Sequence, residues 1–406
     1  MCGLIRCVRG RFVVGVSVLT LLLAACDSKP STPPVQPAAP NVEQTAAPEK
    51  PVAEKPAPTA APAKLPPPAI PAAAKLAPAQ VGQPTGTFID RPAGADVRLV
   101  SFNILWNNIF VETNAQNADR FVRIMRALNP DVLALQEIGV TSWMLKDNPN
   151  ARHWNADDVA YLMDTILPLA NGAHWQAFMG SDCVLVSRYP LKMTATETIP
   201  AGERDLAMAL VDLPDAQFGI DLYVLDNHFK CCDPAKNDVR RQEQADSIVA
   251  WLRDAREPGG HIDLPAGTGM VVCGDLNLVG SFQPAQTLID GNIEDEQKYG
   301  ADSPPDWDGT ALTDAHPLHN IIGPDDYTWR NDDDKYDPGR IDFIFYTDSV
   351  LNAVKTFALD TLNMSDEDLH AAGLEKLDVA TDATGHDIDH YPLVVDFEVR
   401  SAAEKN

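Results

Sequence analysis

Short apolar runs of strand length alternate with amphipathic runs of helix length through most of this 406-residue chain. The run VRLVSFNI at 97–104 precedes a stretch at 118–128 with apolar residues at helical spacing, and DVLALQEI follows at 131–138. Short apolar runs predict strands, whereas a period of about 3.6 residues predicts a helix. Strands interrupted by helices favour an α/β fold in which helices lie outside a β core.

The same pattern continues to the end of the chain. We predict further helices at 157–169 and 238–256, and further strands at 183–187, 222–227, 270–276, 340–346 and 393–399. The stretch 302–337 is rich in Asp, Pro, Trp and Tyr. We expect long ordered loops there, because a disordered segment carries few aromatic residues.

The first 25 residues have the composition of an export signal. Three arginines precede an apolar stretch at 12–23, which is too short to span a bilayer. The sequence Leu-Ala-Ala-Cys ending at Cys26 resembles the lipobox of bacterial lipoproteins, in which the cysteine becomes the lipidated first residue. An ordinary secretory signal that contains a cysteine is the alternative. We expect an exported protein, anchored to a membrane through Cys26 and facing the periplasm or the exterior.

Residues 26–87 have the composition of a tether. Sixteen of the 33 prolines lie between Pro30 and Pro84, mixed with alanine. Such a segment buries too little apolar surface to offset its ordering entropy, so we expect a disordered spacer with polyproline II character. A folded domain is then expected at 88–406, which is long for one domain but suits a large α/β sandwich.

The formal net charge of −26 limits the range of partners. A chain this acidic has no general electrostatic attraction for phosphate polymers. The same charge suits a protein that concentrates divalent cations.

Polar residues occupy the predicted ends of six strands. They are Asn103, Glu137, Asn227, His228, Asp275, Asn277, Asp342, Asp389 and His390. Each of them alone is typical of a cap or a turn, but six such ends together suit phosphoryl transfer to water. Carboxylate oxygens are suitable Mg²⁺ ligands, a histidine moves protons at neutral pH, and a second histidine stabilises charge on phosphate oxygens.

Six motifs give this set a family resemblance. They are SFNI at 101–104, PDVLALQE at 130–137, NH at 227–228, GDLN at 274–277, RIDF at 340–343 and DHYPLVVDF at 389–397. Their order is similar to that of the endonuclease/exonuclease/phosphatase family, which includes pancreatic-type deoxyribonucleases, abasic-site endonucleases, bacterial neutral sphingomyelinases and inositol-polyphosphate 5-phosphatases. The resemblance, from about 97 to 399, implies a four-layer α/β/β/α sandwich: two packed mixed β-sheets with helices outside and a site at one sheet edge.

The resemblance also implies a metal site. Glu137 looks like the direct Mg²⁺ ligand, with Asn103 beside it holding phosphate or metal-bound water. Asp389 would approach the metal through water. Mn²⁺ and Ca²⁺ are the expected substitutes for Mg²⁺.

The catalytic roles follow from the same resemblance. Asp275 is similar to the acid that orients or deprotonates the attacking water, and Asn277 to a donor on the phosphate oxygens. His390 looks like the central imidazole, either a base for water or a donor to phosphate, and Asp342 would accept its ring N–H. His228 matches the second histidine, a phosphate contact or a general acid for the leaving oxygen.

Four residues are weaker candidates. In the deoxyribonuclease branch an acid orients the second histidine, and either Asp182 or Glu203 fits that place. Arg240 and Arg241 open the long helix after His228, where they either contact phosphate or form ion pairs on the helix face.

The cysteines leave several readings open. Cys183 and Cys273 lie in apolar strand-like runs and are expected to be core thiols or a pair. Cys231 and Cys232 are adjacent and could form a redox element, a metal site or half of a cross-link. Disulfide connectivity cannot be deduced from sequence.

Together these features predict a Mg²⁺-dependent phosphodiesterase, a monomer, most suited to nucleic acids or nucleotides as a nuclease. A phospholipid, sphingomyelin or inositol-phosphate hydrolase is the alternative within the same enzyme class. A non-catalytic binding protein that keeps the fold is the alternative outside it.

Overall fold

The computed structural model describes residues 65–76, 82–196, 204–232, 234–332, 336–379 and 388–400. The predicted signal peptide, Cys26 and most of the predicted tether lie outside the described residues, as does Glu203. Their assignments stay predictions.

Strands and helices alternate along the described residues. The strands are β1 (Val97–Asn103), β2 (Val132–Gln136), β3 (Gln176–Met179), β4 (Cys183–Ser187), β5 (Leu191–Ala195), β6 (Ala207–Val211), β7 (Leu222–His228), β8 (Gly269–Asp275), β9 (Thr313–Asp314), β10 (Asp342–Tyr346), β11 (Leu351–Ala358) and β12 (Leu393–Val399). The helices are α1 (Val111–Leu128), α2 (Ser142–Asp147), α3 (Ala156–Ile166), α4 (Pro234–Arg256), α5 (Gln283–Asp290), α6 (Glu296–Tyr299) and α7 (Asp366–Ala372). Among the described residues, no helix combines the length and the apolar character that crossing a membrane requires.

The strands form two mixed sheets of six strands each within the described residues. One has the order β11-β12-β1-β2-β4-β3 and the other β5-β6-β7-β8-β10-β9. In each sheet one central pair is parallel, β1 with β2 and β7 with β8, and its outer neighbours run antiparallel to it. The predicted pair of mixed sheets is confirmed.

Alternating side chains of the strands fill apolar layers on both faces of each sheet. On β8, Val271 and Cys273 belong to the core shared by the two sheets, whereas Met270 and Val272 belong to the core beneath α4 and α5. This alternation follows from the two-residue period of a strand, which sends successive side chains to opposite faces. Helices α1 and α3 pack on the outer face of the first sheet. The four-layer α/β/β/α sandwich is therefore the observed fold.

The topology brings the polar strand ends to one edge of the sandwich. The parallel strands β7 and β8 both finish there, with His228 paired to Asp275, and antiparallel β10 starts there, with Asp342 paired to Asp275. In the other sheet β1 and β2 finish side by side, with Asn103 paired to Gln136. Parallel ends and antiparallel starts meet at the same edge, so residues far apart in sequence become neighbours.

The predicted tether overlaps the folded domain. Residues 65–76, inside the predicted spacer of 26–87, lie along α1. The Ala73 N–H donates to Asp119 (2.9 Å), and Arg126 donates to the carbonyls of Ala73 and Ala74 (3.0 and 3.1 Å). Side chains of α1 thus satisfy the backbone of a segment that has little apolar surface of its own. The compact unit begins near Lys64, before the boundary predicted at 88, and the division into tether and catalytic domain stays a prediction.

The four cysteines of the described domain are free thiols. Cys183 and Cys273 are buried, and burial raises the pKa of each thiol well above its ordinary value. This matches the core-thiol prediction rather than a pair. The Sγ atoms of Cys231 and Cys232 lie 2.9 Å apart in the loop after β7.

Candidate active site

The first histidine–aspartate pair joins His228, at the end of β7, to Asp182, just before β4. The distance from His228 Nδ1 to Asp182 Oδ2 is 3.0 Å. Arg204 Nε lies 2.9 Å from the same oxygen. Burial alone would raise the pKa of Asp182, but His228 and Arg204 more than offset it, so the pKa is lowered and Asp182 stays ionised. The sequence offered either Asp182 or Glu203 as the acid that orients His228. In the structure Asp182 lies against this ring.

The second pair joins His390 to Asp342 at the start of β10. His390 Nδ1 lies 2.9 Å from Asp342 Oδ2 and 3.1 Å from Oδ1. Thr328 donates its hydroxyl to Asp342 Oδ2 (2.6 Å) and accepts the Asp342 N–H (2.8 Å). Burial disfavours a charged imidazole, yet the carboxylates of Asp342, Asp275 and Asp389 raise the pKa of His390 well above its usual value. The surrounding carboxylates therefore favour the protonated form of His390, whose Nε2 faces the site.

The two imidazoles and Asn103 converge on Asp275 at the end of β8. Asp275 Oδ2 accepts a hydrogen bond from Asn103 Nδ2 at 3.1 Å. The same oxygen lies 3.6 Å from His228 Nε2 and 3.8 Å from His390 Nε2. One carboxylate oxygen is thus faced by three nitrogen atoms from three strand ends.

Glu137 follows β2 in a left-handed conformation with φ of 68°. Its Oε2 accepts the Trp106 N–H at 3.0 Å, and its Oε1 lies 3.8 Å from His228 Nε2. Burial raises the pKa of Glu137 to about 7; Asp389 and Asp275 add to the rise and the histidines oppose it. The surroundings of the Glu137 carboxylate therefore supply too little positive charge to offset its burial.

Asp389 precedes His390 in the loop before β12. Its Oδ2 accepts the indole N–H of Trp329 at 3.1 Å, and its Oδ1 lies 4.0 Å from His390 Nε2. Among the described residues, Asp389 Oδ1 is buried without a hydrogen-bond partner. Burial raises the pKa of Asp389. An unpartnered carboxylate oxygen in such a site calls for a cation.

The set fits a hard divalent cation. Side-chain exposure is 13% for Glu137 and 17% for Asp389, but only 2% for Asp275, so Glu137 and Asp389 flank the opening. Oxygen donors of this kind suit Mg²⁺, Mn²⁺ or Ca²⁺. The tightest acid and histidine group in the described residues is Asp275, Asp342 and His390, with ligand atoms within 4.8 Å. The hydrogen bonds of Asp342 to His390 and Thr328 make it a support rather than a ligand.

Asn277, whose predicted contact with phosphate stays a prediction, lies two residues after Asp275 at the end of β8. Its backbone, with φ of 50°, donates its N–H to Asp275 Oδ1 at 2.8 Å. Its side-chain Nδ2 donates to the Phe229 carbonyl at 3.3 Å. In this conformation Asn277 orients Asp275.

Arg241 is not available to a phosphate. Its side chain is fully buried and donates to the carbonyls of Lys230 (2.7 Å) and Cys232 (3.3 Å) and to Asp238 (2.7 Å). The guanidinium holds the loop after β7 to α4, so the phosphate-contact prediction for Arg241 is wrong and the helix-face ion pair is what forms. Arg240 is half-buried on the same helix, and its role stays a prediction.

Three supporting residues were missed from the sequence. Thr328 and Trp329 lie in the long loop before β10, and Arg204 lies in the segment before β6. Each contacts an acidic residue of the site across the fold. Aromatic residues in an acid-rich loop were the available signal for Trp329. Nothing in the local pattern singled out Thr328 or Arg204.

Two histidine–aspartate pairs facing a third aspartate, with two further acids at the opening, define a metal-dependent phosphate-ester hydrolase. The family model described as "Endonuclease/Exonuclease/phosphatase family" matches residues 100–366. The chain belongs to this family, whose members are metal-dependent phosphoesterases.

Three solved structures are similar to this chain at low identity. A humanized D. rerio TDP2 is 16% identical with a TM-score of 0.43, covering 74% of this chain and 98% of that one. The human Nocturnin catalytic domain is 16% identical with a TM-score of 0.40, covering 75% and 94%. A family protein from Leptotrichia buccalis C-1013-b is 13% identical with a TM-score of 0.45, covering 75% and 100%. No curated protein matches the chain.

Proposed function

We propose that this chain is an exported, lipid-anchored, Mg²⁺-dependent phosphodiesterase that hydrolyses nucleic acids or nucleotides. One observation carries the hydrolytic part of the proposal. His228 Nε2 and His390 Nε2 approach the same oxygen of Asp275, at 3.6 and 3.8 Å, and each ring is oriented from behind by its own aspartate. A proton acceptor and two oriented imidazoles at one point suit attack of water on a phosphate.

Each polar group then has a distinct task. Asp275 accepts a proton from the attacking water, held in place by Asn103 and by the Asn277 N–H. His390, kept charged by Asp342, donates its Nε2–H to the phosphate oxygens. His228, with its Nδ1–H on Asp182, presents Nε2 to the leaving oxygen as a proton donor.

Glu137 and Asp389 would hold the cation at the opening of the site. Bound there, Mg²⁺ supplies Lewis-acid stabilisation of the phosphate oxygens. The raised pKa of Glu137, about 7, and the unpartnered Oδ1 of Asp389 support this assignment, because both report a deficit of positive charge.

The hydrolytic proposal is tested with the full chain purified in detergent. Plasmid DNA, a single-stranded oligonucleotide, a nucleotide diester and sphingomyelin are each incubated with Mg²⁺ and with EDTA. We expect Mg²⁺-dependent cleavage of the nucleic acid or nucleotide substrates, which His390→Ala abolishes without loss of folding by circular dichroism. Hydrolysis of sphingomyelin alone would mean that the substrates are phospholipids rather than nucleic acids or nucleotides. No metal-dependent turnover on any substrate would favour a non-catalytic binding protein.

The anchor is proposed from the sequence around Cys26. The Leu-Ala-Ala-Cys pattern after an apolar stretch supports lipidation of this cysteine, and several acyl chains on one residue give durable attachment. Labelling of the expressed chain with a radioactive fatty acid should mark the wild type and leave Cys26→Ser unlabelled. Equal labelling of both would contradict the anchor and leave the hydrolytic proposal intact.

A further inference from the structure

We propose that Trp106 and Trp143 form a stacking platform for a base of the substrate next to the scissile phosphate. This inference rests on the proposed function, because it names the part of a nucleic acid or nucleotide that the site recognises. Two observations carry it: the backbone N–H of Trp106 donates to the predicted Mg²⁺ ligand Glu137, and the Trp143 indole packs against the Trp106 indole.

Trp106 is fixed directly against the catalytic edge. Its backbone N–H donates to Glu137 Oε2 at 3.0 Å. Leu105, Trp106 and Asn107 are three successive left-handed residues, with φ of 50°, 50° and 62°. Side-chain-bearing residues adopt this region at an energetic cost, and such strain concentrates at functional sites.

The strained turn is locked to the loop after β2. The Asn107 side chain donates to the Gly139 carbonyl at 2.6 Å and accepts the Gly139 N–H at 2.8 Å. The Asn107 N–H also donates to the Glu137 carbonyl at 2.9 Å. The position of Trp106 relative to Glu137 is therefore set by the backbone, as a substrate-positioning residue requires.

Trp143 adds a second ring on α2. The centroids of the two indole rings lie 5.8 Å apart, and the ring planes are at 90° to each other. The rings therefore form an edge-to-face pair with perpendicular faces. Trp143 is 52% exposed, and no residue of α2 is buried. Core packing therefore does not account for this tryptophan, whereas a planar ligand entering beside Glu137 would cover it.

The charge of the chain favours a base as the occupant. At −26 the chain repels the phosphates of a nucleic acid, so affinity cannot come from a general basic surface. Base stacking is electrically neutral and tolerant of sequence, and aromatic platforms use it to bind single strands. The same charge opposes docking of Trp143 on an anionic lipid surface.

The test compares two oligonucleotides with the full chain in Mg²⁺. One carries natural bases, and the other has the same backbone with abasic residues flanking the cleaved bond. We expect Trp143→Ala to lower the ratio of kcat/KM for the natural over the abasic substrate about tenfold, mainly through KM. Trp143→Phe should retain most of the ratio. Tyr161→Ala, which removes an aromatic residue that is 37% exposed on α3, is the matched control and should leave the ratio unchanged.

The outcomes separate the two proposals. If the wild type cleaves both oligonucleotides and Trp143→Ala changes both equally or neither, the platform is wrong while the nuclease assignment stands. If the wild type cleaves neither, both proposals fail. In the Cys26→Ser background, which lacks the proposed anchor, a loss of sedimentation with phosphatidylcholine vesicles on Trp143→Ala, with the cleavage ratio unchanged, would identify the ring as a lipid contact and overturn the inference.

Discussion

Asp182 Oδ2 lies 3.0 Å from His228 Nδ1, which places an ionised carboxylate behind an imidazole whose other nitrogen faces Asp275. The arrangement is repeated across the site by Asp342 and His390. The two pairs come from different strand ends, yet both present Nε2 to one oxygen. An aspartate behind Nδ1 keeps a proton on that nitrogen and directs Nε2 of each ring into the site, where it can donate or accept a proton.

Asp182→Asn should reduce kcat by about 10²- to 10³-fold, because the amide lacks the carboxylate charge that orients the His228 ring and can place an N–H donor against Nδ1. Asp360→Asn is the matched control. Asp360 forms a buried pair with His319, with 3.1 Å between Asp360 Oδ2 and His319 Nδ1, and this pair includes neither of the two histidines that face Asp275. We expect it to lower stability without a comparable loss of kcat. Steady-state kinetics across pH 5–9 distinguish the two variants. Equal losses in both would show that Asp182 acts only through folding.

Trp329→Phe should weaken the apparent Mg²⁺ affinity about 10- to 100-fold. The substitution keeps an aromatic ring but removes the N–H that Asp389 Oδ2 accepts at 3.1 Å. Trp307→Phe, which removes an indole N–H donated to the Thr268 carbonyl, serves as control and should leave the Mg²⁺ titration unchanged. The measurement is initial rate against Mg²⁺ concentration. An unaltered titration in Trp329→Phe would remove Asp389 from the metal site.

Most buried strands were predictable because their apolar runs are unambiguous, although β6, which is buried at every position, was missed. β2 and β4 are buried at every position, and both were found from sequence. Strand β5 was missed because it lies at a sheet edge with mostly exposed side chains, and β11 was missed because its side chains are only partly buried. Edge strands carry a weak period-two signal, since one face or both remain in solvent.

The site was predictable where strand ends supply it. The resemblance named Asp275 and His390, and the fold brings both to one edge, because Asp275 ends β8 and His390 lies shortly before β12. Trp329 reaches Asp389 from 60 residues away, out of a loop with no periodic pattern. The contacts of Arg241 could not be predicted either. A helical period does not show whether a guanidinium points into solvent or donates hydrogen bonds to a neighbouring loop.

His319→Gln should remove a contribution to the free energy of unfolding, and that contribution decreases as pH rises. His319 Nε2 donates to the Tyr327 carbonyl at 2.7 Å and Nδ1 to Asp360 at 3.1 Å, so both nitrogens carry protons. Burial opposes the charge, but Asp360, the Tyr327 carbonyl and Asp325 raise the pKa of His319 above 6.5. This stability is fully present below about pH 6.5 and is lost as pH rises through the folded-state pKa.

Urea unfolding at pH 5.5 and 8.5 checks this sign. The difference in unfolding free energy between wild type and His319→Gln should be larger at pH 5.5. His261→Gln is the control, because His261 is 77% exposed and its pair with Asp254 lies in solvent. A difference that grows with pH would mean that His319 is neutral in the folded state.

Asp226→Asn should make the protein less sensitive to alkaline pH. Asp226 is fully buried on β7 and accepts from Gln136 Nε2 at 2.6 Å. Burial raises its pKa well above 3.8, so the folded state keeps a proton that the unfolded state releases. Stability is therefore present below about pH 4 and falls, by on the order of 1 kcal/mol per pH unit, as pH rises towards the folded-state pKa. Asparagine keeps an acceptor for Gln136 without the titration.

Chemical unfolding from pH 5 to pH 8 tests this expectation, with Asp396→Asn as a contrasting buried variant. Asp396 forms an ion pair with Arg98 at 2.7 Å, so its amide variant leaves a buried guanidinium without its counter-charge and should lose about 3–5 kcal/mol across the range. Asp226→Asn should match or exceed wild-type stability at pH 8 and lose its advantage towards pH 5. If Asp226→Asn is instead destabilised like Asp396→Asn at every pH, the carboxyl of Asp226 is charged in the folded protein.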